Sequence, residues 1–219
     1  MNRRGFQITL CWGLPYGGKN IQYDDVGMQT DPHTWFNSLQ SDDIMGNGPD
    51  DLATGVMRVG AVSFGDKVRL QFGLGVYSNR KDINSSIQKI IPVGGARNTD
   101  MALEFFKRRG FAYPEARKNV GQVLIMFVTG PSSNIERTLD QANYLKRQGV
   151  YIYVIKIGSD INHTEMIKMA STPSMDYAIS ESLVSLLRVK VCDDQPAGST
   201  KSSQACVARR PVDPHFCCG

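Results

Sequence analysis

The sequence predicts an α/β fold in which a doubly wound, mostly parallel sheet with one antiparallel edge strand carries helices on both faces. From about residue 56 onward, β-type apolar runs alternate with stretches of helical periodicity, the order that builds such a sheet. Gly65-Asp66-Lys67 separates two neighbouring β-type runs and reads as a tight hairpin. Residues 120–129 form a continuous apolar run suited to a strand buried on both faces.

The first half of this region contains the hairpin and two helices. The two β-type runs, 56–64 and 68–74, flank the hairpin turn, so one strand of the pair is antiparallel. Residues 81–90 and 99–109 place apolar side chains at helical spacing, and the second of these helices follows the turn-forming Gly94-Gly95.

The second half continues the alternation after the central strand 120–129. Ser132 or Ser133 is predicted to cap a helix, which carries an apolar stripe and stops at Gly149. The remaining predicted elements are, in order, a buried strand at 150–157, a short helix at 164–171, a last strand at 177–179 and a closing helix at 181–189.

Length and composition indicate one domain with extensions. A single core usually serves about 100 to 200 residues, and this chain has 219, of which 41% are hydrophobic. The formal net charge of +4 is too small to indicate a nucleic-acid partner, and no apolar run reaches the roughly 20 residues of a membrane span. We predict an irregular or divergent segment at 1–48, the domain at 49–191, and a cysteine-containing polar tail or the start of a further module at 192–219.

The cysteines favour disulfides in an oxidising compartment. Four of the five lie in the last 28 residues, without the paired spacing of a zinc site. The odd number leaves one cysteine unpaired or paired between chains, as in a disulfide-linked oligomer. Asn84 and Asn162 begin sequons and are predicted to be exposed, with at least one glycosylated if the chain is secreted.

Several segments carry a resemblance to a known family. They are Gly-Pro-Asp at 48–50, MRVGAVSF at 57–64, GGARNTDMAL at 94–103, QVLIMFVT at 122–129 and LKRQGVYIYV at 145–154. In order and spacing they resemble a von Willebrand factor type A domain, particularly those of matrilins and type VI collagen chains. The resemblance implies a secreted, non-enzymatic adhesion module of the extracellular matrix that binds collagen or other matrix proteins. It also implies a disulfide between the two ends of the domain, for which Cys192 and Cys11 are the candidates.

The family's metal site is predicted to be lost. Its ligands are an Asp-x-Ser-x-Ser turn after the first strand, a threonine in the second loop and an aspartate in the third, which together hold magnesium or manganese. Thr99 corresponds to the threonine, but Gly130 stands where the aspartate would be. The nearest candidate for the first strand, 6–15, would put Cys11, Gly13 and Pro15 at the turn's ligand positions, and this strand is either divergent or absent. We therefore expect no cofactor, and we interpret Thr99 as an N-cap rather than as a remnant ligand.

A basic cluster is the other candidate binding feature. It consists of Lys107, Arg108, Arg109, Arg117 and Lys118. Such runs are usually solvated faces, but this one could meet a sulfated glycosaminoglycan. The alternative function, a nucleotide-handling or metal-dependent α/β enzyme domain, lacks both a Gly-x-Gly-x-x-Gly turn and a phosphate loop.

Overall fold

A computed structural model describes residues 6–13, 57–90, 93–110, 120–158, 160 and 162–180. Within these residues lies one six-stranded sheet of order β3-β2-β1-β4-β5-β6. Its strands are β1 Phe6–Gly13, β2 Met57–Phe64, β3 Val68–Phe72, β4 Gly121–Val128, β5 Val150–Lys156 and β6 Ala178–Ser180. The β2–β3 pair is antiparallel and the other four neighbouring pairs are parallel. The predicted fold class is confirmed.

The helices connect the strands in the predicted order. They are α1 Arg80–Gln88, α2 Thr99–Phe105 with a π-helical turn Phe106–Gly110, α3 Ile135–Arg147, α4 His163–Met169 and α5 Ser174–Tyr177. The short α5 was not predicted. The predicted closing helix at 181–189 lies outside the described residues. No helix in the described part of the chain has the length and apolar character that a bilayer crossing requires.

The first strand is present and lies at the centre of the sheet. β1 pairs in parallel with β2 on one side and with β4 on the other. Its side chains Ile8 and Leu10 are at most 1% exposed, so the strand is part of the core. The predicted division at residue 48 therefore separates β1 from the sheet to which it belongs. The other boundary, at 191, stays a prediction because it lies outside the described residues.

Two helix ends differ in detail from the sequence prediction. Neither Ser132 nor Ser133 caps α3; Asn134 does, because its Oδ1 accepts a hydrogen bond from the Arg137 amide at 3.0 Å. Asn and Ser are equivalent as caps, so sequence alone does not separate adjacent candidates. The C-terminal end follows the prediction: Gly149 has a φ of +81°, a left-handed conformation that favours glycine.

Thr9 carries a buried hydroxyl in the central strand. The side chain is 3% exposed, and its Oγ1 has no hydrogen-bond partner among the described residues. Leaving a hydroxyl buried and unpaired costs free energy, whereas a methyl group of similar size at the same place does not. Thr9→Val is therefore expected to raise the free energy of unfolding by about 1 kcal/mol. Urea denaturation would measure this, and a loss of stability would show that the hydroxyl is paired.

Candidate functional site

The carboxyl ends of the central strands meet at one edge of the sheet, where such folds place their ligand crevices. Gly13 ends β1 and Thr129 follows β4 directly. Thr129 Oγ1 donates a hydrogen bond to the Gly13 carbonyl at 3.2 Å, and this contact is buried. The ends of the two central strands are thus joined to each other. We call this edge, with the loops at 65–67, 94–98 and 130–134 and with residues 158, 160 and 162, the top face.

The place of one predicted ligand is filled by an aromatic ring. Gly13 pairs in register with Phe64 of β2. A Cβ atom added to Gly13 would lie 2.6 Å from two carbons of the Phe64 ring. Phe64 itself is 2% exposed and packed in the core, so the ring has little freedom to move aside. A serine could not be accommodated at residue 13 without repacking the end of β2.

The place of the lost aspartate is filled by a guanidinium group. A Cβ atom added to Gly130 would lie 2.7 Å from Arg97 Nε and closer still to Cζ and Nη1. Arg97 reaches this position from the loop that enters α2, and its Nη1 is 2.9 Å from Asp160 Oδ2. The chain's own positive charge therefore covers Gly130 at the end of β4.

Backbone hydrogen bonds hold the Arg97 loop in place. The Arg97 carbonyl accepts bonds from the amides of Thr99 and Ser133, each at 2.9 Å. On the other side, Asp66 Oδ1 accepts the Ala96 amide at 2.8 Å, and Asn98 Nδ2 donates to the Gly65 carbonyl at 3.0 Å. The loop is thus joined both to the hairpin turn and to the loop after β4. Such fixation reduces the entropy that Arg97 loses on binding a ligand.

The interpretation of Thr99 as an N-cap is wrong. The N-cap of α2 is Asn98, which makes no side-chain capping bond, and Thr99 is the first helical residue. Thr99 is 2% exposed. The helix begins one residue earlier than the threonine pattern indicated, because the Asn98 carbonyl already accepts the amides of Met101 and Ala102.

Two described positions of the top face, Gly13 and Gly130, do not supply the oxygens that a magnesium or manganese ion needs. Hard cations need several oxygen ligands, usually with carboxylates among them. Gly13 and Gly130 offer no side-chain oxygen, and Phe64 and Arg97 fill the space that side chains there would take. In the part of the chain that the structure describes, no three His, Cys, Asp or Glu side chains lie close enough together to share a metal.

A buried carboxylate fixes the loop after β4. Glu165 is 5% exposed and both of its oxygens accept the Ser132 amide, at 3.1 and 3.3 Å. Asn162, the N-cap of α4, accepts the Glu165 amide at 3.1 Å. Glu165 of α4 therefore fixes the loop that carries Gly130.

The basic cluster is partly engaged in contacts within its own helix and with α3. Arg108 pairs with Glu104 at 2.6 Å, and Lys107 Nζ lies 4.3 Å from the centre of the Tyr144 ring in α3. Arg108 nevertheless remains 73% exposed, and Arg109 is exposed as well. The other two members of the cluster, Arg117 and Lys118, lie outside the described residues.

The contact between Glu104 of α2 and Arg137 of α3 makes stability dependent on pH. A hydrogen bond from Arg137, 2.6 Å away, holds the pKa of the Glu104 carboxyl below its ordinary value, with the nearby Arg108 charge acting in the same direction. A lowered folded-state pKa adds stability above the unfolded pKa of about 4.3, and that stability is lost as pH falls through the folded value. Glu104→Gln is expected to lower the midpoint of thermal unfolding at pH 7, and by progressively less as pH falls below about 4.3 and then through the lowered folded-state pKa. An equal loss across this pH range would contradict this.

The structure does not support the predicted disulfide between Cys11 and Cys192. Cys11 is a free thiol, fully buried in β1, and its burial raises the pKa of the thiol well above the ordinary value. Its register neighbours are Val62 and Met126, so it lies in the middle of the core rather than at an end of the domain. Cys192 lies outside the described residues.

The two sequons differ in their surroundings. Asn162 is exposed, as predicted, although its side chain also caps α4. Asn84 lies in the middle of α1 and is half-buried, so the expectation that it is exposed is wrong. Helix α1 extends further towards the N-terminus than the apolar spacing indicated, because Asn79 caps it.

Sequence reasoning missed three residues of the top face: Phe64, Arg97 and Asp160. Each was read as part of a strand or loop rather than of a site. Arg97 had one signal. A carboxylate that is missing at Gly130 leaves room for a cation, and Arg97 is the charged side chain in the loop facing it.

Comparison with known proteins identifies one family for this chain. A family model described as "von Willebrand factor type A domain" matches residues 43–188. The chain is 30% identical over 174 residues to von Willebrand factor A domain-containing protein 2 of Mus musculus, covering 76% of this chain and 20% of that protein. It is 26% identical to Matrilin-1 of Gallus gallus over 66% of this chain and 30% of that one. For the collagen alpha-6(VI) chain of Homo sapiens the identity is 29%, over 59% and 6%. The chain thus spans less than a third of each of these relatives.

Solved structures share the fold at lower identity. Proximal thread matrix protein 1 from the mussel byssus superposes with a TM-score of 0.65 at 22% identity, over 86% of this chain and 48% of that one. One structure of that protein is described as having a zinc-occupied MIDAS motif. Manganese-loaded TRAP protein of Plasmodium vivax gives a TM-score of 0.58 at 16% identity, over 84% and 72%. At these identities the likeness concerns the fold alone.

Proposed function

The chain belongs to the von Willebrand factor type A domain family, and we propose that it is a secreted interaction module of the extracellular matrix that binds its partner without catalysis. From the surroundings of Gly13 and Gly130 we further propose that this binding needs no divalent ion. The relatives named as matrilin and collagen chains support the matrix assignment. We propose collagen or another matrix protein as the partner.

One observation carries the metal-free part of the proposal. The two glycines at the ends of β1 and β4 face side chains that fill the ligand space, an aromatic ring at Gly13 and a guanidinium at Gly130. A guanidinium at that place repels a divalent cation, whereas the family's aspartate would attract one. Adhesion by this domain therefore depends on its own side chains.

The basic cluster is a second surface through which the domain could bind. Arg108 and Arg109 project into solvent at the π-helical turn, where they are available to a sulfated glycosaminoglycan. We propose this contact as an addition to protein binding. Weaker retention of Arg109→Ala than of the wild-type chain on a heparin column, with the difference vanishing at high salt, would support it.

Secretion is the proposed route, and Asn162 is the proposed glycan acceptor. Its exposed position before α4 leaves its amide nitrogen accessible while Oδ1 keeps the cap. Protein secreted from eukaryotic cells should lose mass on treatment with an N-glycosidase, and Asn162→Asp should show a smaller loss. Asp keeps the N-cap and removes the acceptor.

Binding to immobilised matrix proteins tests the main proposal. The purified chain is titrated over fibrillar collagen, type VI collagen and albumin, each with magnesium or with EDTA. We expect saturable binding to a matrix protein, none to albumin, and the same affinity in EDTA. Loss of binding in EDTA would overturn metal independence, and absence of binding to all matrix proteins would overturn the adhesion assignment.

A further inference from the structure

We propose that Arg97 is the ligand-binding cation of the top face: a guanidinium on a backbone-anchored loop that takes a carboxylate of a partner protein in place of a metal ion, with Asp160 as the internal carboxylate that the partner displaces. This rests on the proposed function, because it names the group through which the same face would bind.

The position of Arg97 is built by the chain rather than left to solvent. Its backbone carbonyl is held by the Thr99 and Ser133 amides, and the residues on either side of it are bonded to the hairpin turn. The guanidinium lies over Gly130, where the absent Cβ gives it room. It is 32% exposed, so part of it faces the exterior. The loop that carries this cation is therefore ordered before a ligand binds, while the guanidinium itself can adjust to the ligand.

The structure also indicates which ligand chemistry fits. Asp160 already presents a carboxylate to Arg97, with Oδ2 2.9 Å from Nη1. A guanidinium has five N–H donors in a planar fork, and a carboxylate matches that fork with two parallel bonds. The contact with Asp160 uses Nη1 alone, so a partner's carboxylate that reaches two nitrogens would make the stronger pair.

Asp160 is suited to displacement. Its side chain is 71% exposed, so its pair with Arg97 is screened by water and contributes little to stability. Asp160 therefore competes with a partner weakly, and it keeps Arg97 paired when no partner is bound. Removing the Asp160 charge should strengthen partner binding.

The surrounding charges favour a single acidic side chain over a polyanion. Asp66 of the hairpin turn accepts the Ala96 amide, Glu165 of α4 accepts the Ser132 amide, and Asp160 makes a third carboxylate against one arginine. A densely sulfated chain would be repelled by these groups, whereas one carboxylate simply replaces that of Asp160. We therefore commit to an acidic residue of a partner protein.

Nuclear magnetic resonance on the full chain tests the proposal. The probe is a neutral-ended peptide of four glycines with one central glutamate, and its matched control carries glutamine instead. The reporter is the Nε–H signal of Arg97, assigned from its disappearance in Arg97→Lys. We expect the glutamate peptide to shift this signal saturably, with or without EDTA, and the glutamine peptide to leave it unchanged. Asp160→Asn should tighten binding by up to about fivefold, and Arg97→Gln should abolish it.

The outcomes separate this proposal from the proposed function. Absence of any shift in both the wild-type chain and Asp160→Asn, or equal shifts with both peptides, overturns the role of Arg97. Matrix binding that survives in Arg97→Gln overturns it too, and leaves the adhesion assignment intact. A positive peptide titration in a chain that binds no matrix protein supports the arginine site and overturns the adhesion assignment.

Discussion

Gly13→Ala is expected to lower the free energy of unfolding by about 3 kcal/mol, the upper end of what overpacking a core usually costs. The added Cβ would lie 2.6 Å from two ring carbons of Phe64, a distance that real side chains do not tolerate. β1 is the central strand, so it cannot move away without breaking its pairing with both neighbours. The ring has to shift within a core where Phe64 is 2% exposed. Urea denaturation monitored by fluorescence and by circular dichroism would measure the loss.

Two variants control for general effects of adding a methyl group. Gly73 lies just after β3, and a Cβ there would contact Val76 at an ordinary 3.7 Å, so Gly73→Ala should change stability little. Combining Gly13→Ala with Phe64→Leu should cost less than the sum of the two single changes, because the smaller side chain makes room. Equal stability of Gly13→Ala and Gly73→Ala would show that the ring does not fill this space.

The strands and helices could be predicted because their signals are local. The apolar run at 120–129 became β4, and the stripe before Gly149 became α3, since both depend on residues adjacent in sequence. The hairpin at 65–67 is likewise contained in a few residues. The caps were less predictable, because Ser, Thr and Asn compete at neighbouring positions.

For the candidate site, the sequence predicted only which metal ligands are missing. Gly130 could be recognised in the sequence as a missing carboxylate, but nothing nearby indicates what replaces it. The replacement, Arg97, lies 33 residues away in the chain, and its partner Asp160 lies 63 residues from it. Likewise, Phe64 reaches Gly13 only because β1 and β2 are neighbours in register. Such contacts follow from the topology of the sheet, which periodicity does not fix residue by residue.

The burial of Cys11 in the core was likewise not predicted from the sequence. The run at 6–15 was a candidate first strand, but its polar Thr9 and Gly13 did not show that it is buried at the centre of the sheet. The disulfide was implied by the family resemblance alone. The run is a core strand because β2 and β4 cover both of its edges. A cysteine there behaves as a small apolar side chain.

Gly130→Asp is expected to abolish binding of the glutamate peptide at Arg97, reducing affinity by more than about tenfold. The new carboxylate would stand directly at the guanidinium, which is the far end of a flexible side chain and can turn to accommodate it. Unlike Asp160, which is 71% exposed, an aspartate at the partly buried residue 130 would pair with Arg97 with less screening by water, so as an attached group it would compete strongly with a free peptide. We also expect no micromolar manganese binding, because one restored aspartate, neutralised by Arg97, does not supply the several oxygens that a hard cation needs.

Gly130→Asn separates charge from shape in the same experiments. Asparagine has almost the size of aspartate and meets the same guanidinium, but it carries no charge to pair with it. Peptide binding should therefore survive in Gly130→Asn, weakened by the steric shift alone, and should be absent in Gly130→Asp. Equal losses in both variants would mean that crowding, not charge, controls the face. Manganese binding in Gly130→Asp, measured by titration calorimetry at micromolar concentration, would mean that Arg97 does not block the ion, since the arginine would then have yielded its place to the metal.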